Sequence, residues 1–448
     1  MPSALPREFI EAAAARGISE SELTRQWGRL QSGLSHCTPH GPCQRRDGIQ
    51  TISKEAMQRL AIRGSLLKAE QAVRLVPASG IASRMFKALA SGSQEAIAQL
   101  DAQWEGFPFC KAAEATGPCE TPTERLTAVM ERLKLQDMPK GGLPFHTYPA
   151  ESRTAFEEHM HEWKATLPGA STPLVHFTLP EQSQEIWNER LERWAEQIGV
   201  KVSTSAQHHS TDTMAMGKDG RPFMDEDGAP LFRPGGHGAL LRNLGDLAKA
   251  HPGALVSIKN IDNVRPTTSH GEVVPWRKAL LGLAAELDEA RKQAVAALDA
   301  GDSRPAELWL EGGITHPTDP RPQSIPALRT ALERPLLVAG MVRNEGEPGG
   351  GPFWLRDDEG VLRAQIIESG EMDLDNPSIG NCMAEATHFN PVDLICLMHD
   401  TSGVPLDLTR FVDHRRDFLV SKSHKGKPLI GLEHPGLWNG AMGRWNTL

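Results

Sequence analysis

Val73-Arg74-Leu75-Val76-Pro77-Ala78-Ser79-Gly80-Ile81-Ala82-Ser83-Arg84-Met85-Phe86-Lys87 is the stretch on which the fold turns. Its first five residues, apolar around one arginine and ending in proline, read as a short strand. Ala78-Ser79-Gly80 and Ala82-Ser83 are small enough for a tight turn, and the residues from Ser83 onward predict the opening of a helix. A strand, a tight turn and a helix begin a doubly wound α/β unit.

The same alternation continues outward. Pro173–Thr178 reads as a second strand, followed by a helix over Glu181–Gln197 and a third strand over Lys201–Ala206. Ala254–Asn260 reads as a fourth strand, and Trp276–Ala300 as a long helix rich in Ala, Leu and alternating charge. Beyond a Pro-rich connector at Glu311–Pro326, Leu336–Val342, Val361–Glu368 and Val392–Met398 read as further strands. The expectation is an α/β fold with a mixed, mostly parallel sheet covered by helices on both faces. Upstream, Ser19-Glu20-Ser21-Glu22 supplies a cap for a helix running through Leu30. The expected organisation is an N-terminal helical segment (1–64), an α/β core (65–330) and a C-terminal α+β part (331–448). Leu437–Leu448 carries two tryptophans and is expected to pack on the body.

Composition narrows the function classes. The chain has 448 residues, 39% hydrophobic and 23% charged, as in a globular enzyme rather than a disordered chain. A formal net charge of -9, with no basic stripe, argues against nucleic acid as partner. No stretch reaches about 18 apolar residues, so no membrane span is expected. Met1–Arg16 lacks a basic start followed by an apolar run, and the six cysteines are scattered, which points to a reducing cytoplasm. His36-Cys37-Thr38-Pro39-His40-Gly41-Pro42-Cys43 gathers two His and two Cys, but their spacing matches no common zinc pattern and reads as a loop.

Five motifs carry candidate chemistry. In the opening turn, the backbone N–H groups of Ala78, Ser79, Gly80 and Ser83 are placed to close around phosphate oxygens, with Arg84 as a positive charge beside them. It is neither a Walker A loop nor G-x-G-x-x-G. Met138-Pro139-Lys140-Gly141-Gly142 presents one lysine in an otherwise uncharged Pro/Gly stretch, suited to aim a point charge at phosphate. Arg233-Pro234-Gly235-Gly236-His237-Gly238 permits a close backbone approach to a base or sugar, with His237 as a hydrogen-bonding group. Asp262 follows a buried strand at its carboxyl end, where α/β sheets bind ligands and where one carboxylate plus phosphate oxygens can hold Mg²⁺. Glu368, at the end of another strand, is placed for substrate hydroxyls. Each motif also has a plain structural reading as a turn, a cap or a solvated loop.

Taken in order, these motifs resemble those of the UDP-glucose and UDP-N-acetylhexosamine pyrophosphorylases. The counterparts are Leu75–Arg84, Pro139-Lys140-Gly141, Pro234–Gly238, Ile261-Asp262-Asn263 and Ile366–Glu371, over residues 73–393. A closer resemblance covers nearly the whole chain. Gly340–Trp354, Phe232–Leu240, His388-Phe389-Asn390-Pro391-Val392-Asp393 and Pro435–Met442 look like the bacterial domain-of-unknown-function family numbered 4301, which brings no activity with it.

The pyrophosphorylase resemblance implies a Rossmann-like, GT-A-type core. It also implies a Mg²⁺-dependent nucleotidyltransferase that joins a nucleoside triphosphate to a phosphorylated small molecule and releases pyrophosphate. On that reading Arg84 and Lys140 are catalytic, and Ala78, Ser79, Gly80, Ser83, Gly235, Gly236 and His237 bind nucleotide. Glu368 and His388 bind the acceptor, and Asp262 holds the metal with Asn390 or Asp393. The chain departs from the family at Pro77-Ala78, Ser83, His237 and Ser369-Gly370, which leaves the base and the acceptor open. Two alternatives stand beside it: a glycosyltransferase that consumes a nucleotide sugar, disfavoured by the absence of Asp-x-Asp at Asp262-Asn263, and a non-catalytic nucleotide-sugar-binding protein.

Overall fold

The computed structural model describes residues 5–448 apart from 34–35, 317–318, 320–321, 323, 348 and 358–359. The chain forms a mixed α/β fold in two compact units. One comprises Met1–Leu60, Gln207–Ser257 and Leu280–Leu448, and the other Ala61–Ala206 and Ile258–Ala279. This division cuts across the three consecutive segments expected from sequence, because the N-terminal helices pack with strands more than 150 residues downstream.

The second unit is built on three parallel strands, Ala72–Pro77, Leu174–Thr178 and Lys201–Ser205, with Val73 opposite Leu174 and Leu174 opposite Lys201. All match the expected strands to within a residue or two. The middle strand is buried along most of its length, as parallel strands covered on both faces require. Helix Ala155–Thr166 starts at a capping box: Thr154 accepts from the Glu157 N–H, and the Glu157 carboxylate accepts from the Thr154 N–H. Its inner face buries Phe156, His159, Glu162 and Trp163, spaced three, three and one apart.

Charged groups lie at the centre of this unit. Arg74, in the middle of its strand, and Lys259 are fully buried, and so is Glu162. The Glu162 carboxylate takes Arg74 Nη1 at 2.6 Å, Lys259 Nζ at 3.1 Å and Arg277 Nε at 3.1 Å. Burial alone would raise the Glu162 pKa; Lys259, Arg74 and Arg277 overcome it and hold the group ionised, well below the usual carboxylate range. The Arg74 guanidinium also lies 4.5 Å from the centre of a Trp163 ring. One carboxylate on the helix thus ties down a cation on each of two strands.

In the first unit, helices Arg7–Ala15 and Glu20–Ser32 cover an antiparallel sheet of Asp212–Gly217, Phe232–Pro234, Phe418–His424 and Lys427–Glu433. Ser19 caps the second helix through its hydroxyl, as its sequence predicts. The last two strands form a hairpin whose turn residues, Lys425 and Gly426, both have positive φ, the geometry that matches strand twist. Leu336–Ala339 pairs antiparallel with Asp393–Leu397 and parallel with Asn446–Thr447. The C-terminal tail packs inward, with Leu437 and Trp445 fully buried.

One expected element is corrected. No long helix follows the opening turn. A single 3₁₀ turn at Ala82–Arg84 and a four-residue helix at Lys87–Ala90 take its place, and a longer helix begins only at Gln94. Ala82 and Phe86 are drawn into a buried cluster with Leu100, Trp104 and Phe109, which bends the chain away from a straight helix. The macrodipole expected at the phosphate turn is therefore small.

Candidate active site

Two loops of the second unit are joined by backbone hydrogen bonds. The Lys140 N–H donates to the Gly80 carbonyl at 3.0 Å, and the Ala82 N–H donates to the Met138 carbonyl at 2.9 Å. The small-residue turn and the lysine loop are thus one structure. The Lys140 stem lies beside Gly80, where an added Cβ would meet Lys140 Cδ at 3.7 Å. The Ala78 N–H is taken by Thr178 Oγ1 at 3.0 Å, so the N–H groups open to an anion begin at Ser79. Among the described residues, no protein acceptor takes the N–H of Ser79 or Gly80, and neither the Arg84 guanidinium nor the Lys140 ammonium has a partner. Arg84 and Ser83 are exposed, and Lys140 is half-buried. Two cations and two N–H groups without partners among the described residues are chemically suited to an anion.

The lysine loop is rigid because of what its glycines admit. A Cβ at Gly141 would fall 2.4 Å from the Phe156 ring, and one at Gly142 would fall 2.1 Å from the Trp187 ring. Both aromatic rings press directly on the backbone, and only glycine leaves room.

Asp262 is anchored to the same helix. His159 donates from Nε2 to the Ile261 carbonyl at 3.1 Å, one turn along from Phe156. The His159 ring is fully buried, and burial pushes its pKa down to about 3, so it is neutral. The Asn263 N–H closes a turn onto the Asn260 carbonyl at 3.1 Å. The Asp262 carboxylate between them is exposed and, among the described residues, has no partner. Arg84, Lys140 and Asp262 thus all lie in this unit, each charged and unpaired.

A second tie joins the segments that follow these two motifs. Glu158 is fully buried; its Oε1 accepts from the Tyr148 hydroxyl at 2.7 Å and from His146 Nδ1 at 3.0 Å. The Tyr148 oxygen in turn accepts from the Thr267 N–H at 2.9 Å. His146 and Tyr148 lie in the hairpin after Lys140, and Thr267 lies five residues after Asp262. Sequence reading passed over Glu158, His159 and Tyr148; the one available signal was that Tyr148 is the only tyrosine of the chain.

The first unit gathers the remaining motifs differently. The room that the glycines of Pro234–Gly238 leave is filled by the chain itself. A Cβ at Gly238 would fall 2.1 Å from the Pro435 carbonyl oxygen, and one at Gly236, where φ is +75°, would fall 2.6 Å from Glu433 Oε2. The close approach expected for a base or sugar is made here by Glu433–Gly436. His237 stacks on Trp438 with ring centres 4.3 Å apart, and Trp438 Nε1 donates to Glu368 Oε1 at 3.2 Å. The Leu437 N–H donates to His237 Nδ1 at 3.1 Å, which places the ring proton on Nε2. Burial lowers the His237 pKa against the pull of Glu368 and Glu433, keeping the ring neutral. Trp438 thus connects His237 to Glu368. The set offers a neutral N–H donor, a carboxylate and an aromatic face, groups suited to sugar hydroxyls.

Asn390 has a structural task. Its amide donates to the Gly340 carbonyl at 2.7 Å and its oxygen accepts from the Val392 N–H at 2.9 Å, so both ends of the buried side chain hold a turn. Asp393 follows Val392, whose φ is +57°. His388 is half-buried and bonded to the Thr387 hydroxyl at 2.8 Å. Cys37 and Cys43 go to separate clusters, one around Phe353 and Ile367 and the other around Trp354 and Leu362. Among the described residues, no group of three His, Cys, Asp or Glu side chains can hold a metal ion.

This fold is that of known sugar-nucleotide enzymes. The solved uridine diphosphate N-acetylglucosamine pyrophosphorylase from Trypanosoma brucei shares it at 12% identity and a TM-score of 0.51, covering 98% of this chain and 71% of that one. UDP-glucose pyrophosphorylase from Leishmania major is more distant, with 10% identity, a TM-score of 0.44 and coverage of 98% and 74%. The chain itself belongs to the family described as domain of unknown function DUF4301, whose model matches residues 7–116 and 123–448. No curated protein matches it. Among the described residues, no helix is long and apolar enough to cross a membrane.

Proposed function

We propose that this protein is a nucleotidyltransferase that transfers a nucleoside monophosphate from a nucleoside triphosphate to a phosphorylated small molecule and releases pyrophosphate. One observation carries the reading. A single turn of helix Ala155–Thr166 anchors both the Lys140 loop, through Phe156 and Gly141, and the Asp262 strand end, through His159 and Ile261. An α-helix rises about 1.5 Å per residue, so these anchors lie roughly 5 Å apart along its axis. Unpaired cations and an unpaired carboxylate fixed on one support fit a triphosphate with its counter-ion. The shared fold agrees with this.

In the reaction, an oxygen of the acceptor phosphate attacks the α-phosphorus, the bond to the β-phosphate breaks, and pyrophosphate leaves in line. Catalysis is positioning and charge neutralisation, with no covalent intermediate. Ser79 and Gly80 donate N–H groups to the phosphates, Arg84 neutralises the departing pyrophosphate, and Lys140 orients the α-phosphate or the incoming one. Asp262 would hold Mg²⁺: its carboxylate is exposed and, among the described residues, has no partner. Bound Mg²⁺ supplies neutralisation of phosphate charge. Incubating the protein with each nucleoside triphosphate, a panel of sugar phosphates and Mg²⁺ tests the proposal. Pyrophosphate release that needs both substrates supports it, and release of free nucleoside diphosphate from a nucleotide sugar would replace it with glycosyl transfer.

A further inference from the structure

Beside the phosphate loops, the second unit carries a feature that the proposed reaction does not use. An open pocket of about 540 Å³ is walled by Met85, Phe86, Leu89, Phe107, Phe109 and Phe145. Its volume falls within the range of small-molecule sites, roughly 300–1,000 Å³, and its walls are mostly apolar as such sites usually are, with Gln99 and Gln103 the polar residues among them. Phe107 and Phe109 stack with ring centres 4.9 Å apart, forming a flat aromatic wall. Met85 leaves 61% of its surface in solvent, and a large unbranched apolar side chain at a rim adapts to a ligand.

Three cations neighbour the lining residues along the chain. Met85 directly follows Arg84. Lys87 stands between Phe86 and Ala88, which both line the pocket. Leu143, Pro144 and Phe145 line it three to five residues after Lys140, in the loop that hydrogen-bonds to Gly80. Among the described residues, Arg84, Lys87 and Lys140 have no ion-pair partner. Cations adjoining the lining residues and aromatic walls inside complement a molecule whose phosphate is attached directly to an apolar body.

We infer that this pocket receives the apolar part of the acceptor, so that the acceptor is the phosphate monoester of an alkyl or aryl alcohol rather than a bare sugar phosphate. The inference rests on the nucleotidyl-transfer reading. The ester's phosphate sits at Lys140 and Lys87, and one of its oxygens forms the new bond to the α-phosphorus as the bond to pyrophosphate breaks.

Calorimetric titration of the full chain with n-hexyl phosphate, phenyl phosphate, inorganic phosphate and uridine tests it without turnover. Either ester is expected to bind at least roughly tenfold more tightly than inorganic phosphate, since each buried methylene adds discrimination. Met85→Gln and Leu89→Gln, both at side chains with solvent contact, should remove that preference and leave inorganic phosphate binding unchanged. Equal affinity for esters and inorganic phosphate would overturn the inference, as would a preference that survives both substitutions or uridine binding that the two substitutions abolish. Pyrophosphate release with sugar phosphates, but without any ester preference, would overturn the inference and leave the reaction standing. Ester binding in the pocket without pyrophosphate release from any nucleotide would overturn the reaction instead.

Discussion

Phe156 and His159 stand three residues apart on one face of helix Ala155–Thr166, the first under Gly141 and the second bonded to the Ile261 carbonyl. The helix therefore sets the spacing between the lysine loop and the Asp262 strand end. Further along the same face, Glu162 holds Arg74 in the strand that leads into Ser79 and Gly80. Three separate motifs are thus positioned by one element that carries no chemistry of its own.

The glycines divide by what surrounds them. Gly141→Ala and Gly142→Ala force a methyl group into Phe156 and Trp187, and each should cost about 1–3 kcal/mol or more. Gly80→Ala meets only ordinary contact with Lys140 and should leave stability nearly unchanged while weakening triphosphate binding. Urea unfolding and nucleotide titration of the three variants separate the two effects. A destabilised Gly80→Ala, or a stable Gly142→Ala, would show that the packing described is not the packing in solution.

The Glu162 carboxylate bonds both the buried Arg74 and the buried Lys259. Glu162→Gln removes the negative charge that faces these buried cations and should destabilise the protein by about 3–5 kcal/mol. Pairing it with Lys259→Met removes one of those charges and should recover part of the loss, a coupling that a double-mutant cycle measures directly.

His159 gives the unit a predictable acid response. An unfolded imidazole takes up a proton near pH 6.5, but this ring in the folded chain does so only near 3, because burial opposes the charge. Between those values the unfolded state binds more protons, so stability is full above pH 6.5 and falls as the pH drops. The slope approaches about 1.4 kcal/mol per pH unit from this one group. His159→Gln keeps a donor for Ile261 and should flatten the decline between pH 6 and 4, as read by thermal melts across that range. An unchanged slope would mean that the acid response comes from other groups.

Much of the fold is legible in the residues, and the reason is local. Val73–Pro77, Pro173–Thr178 and Lys201–Ala206 announce strands through β-formers bounded by turn residues, and Ser19 announces its helix by a cap. What escapes local reading depends on distant partners. An arginine inside an apolar strand shows nothing of the glutamate 88 residues away that neutralises it. The residues after Ser83 have helical propensity, yet burial of Ala82 and Phe86 breaks the helix into short turns. In the site, the cations and Asp262 stand out as charges in small-residue loops. Tyr148, Glu158, His159 and Trp438 do not, because each acts through a contact made across the fold.

The central claim is that Arg84, Lys140 and Asp262 act together on a triphosphate. The most direct measurement is pyrophosphate release by the wild-type chain and by Arg84→Ala, Lys140→Ala and Asp262→Ala, with Mg²⁺, a nucleoside triphosphate and a phosphorylated acceptor. Each substitution is expected to lower the rate at least roughly a hundredfold. The melting temperature should not move, because none of the three side chains has a partner to lose among the described residues. Wild-type rates in the variants, or no pyrophosphate from the unmodified protein with any pair of substrates, would contradict the account.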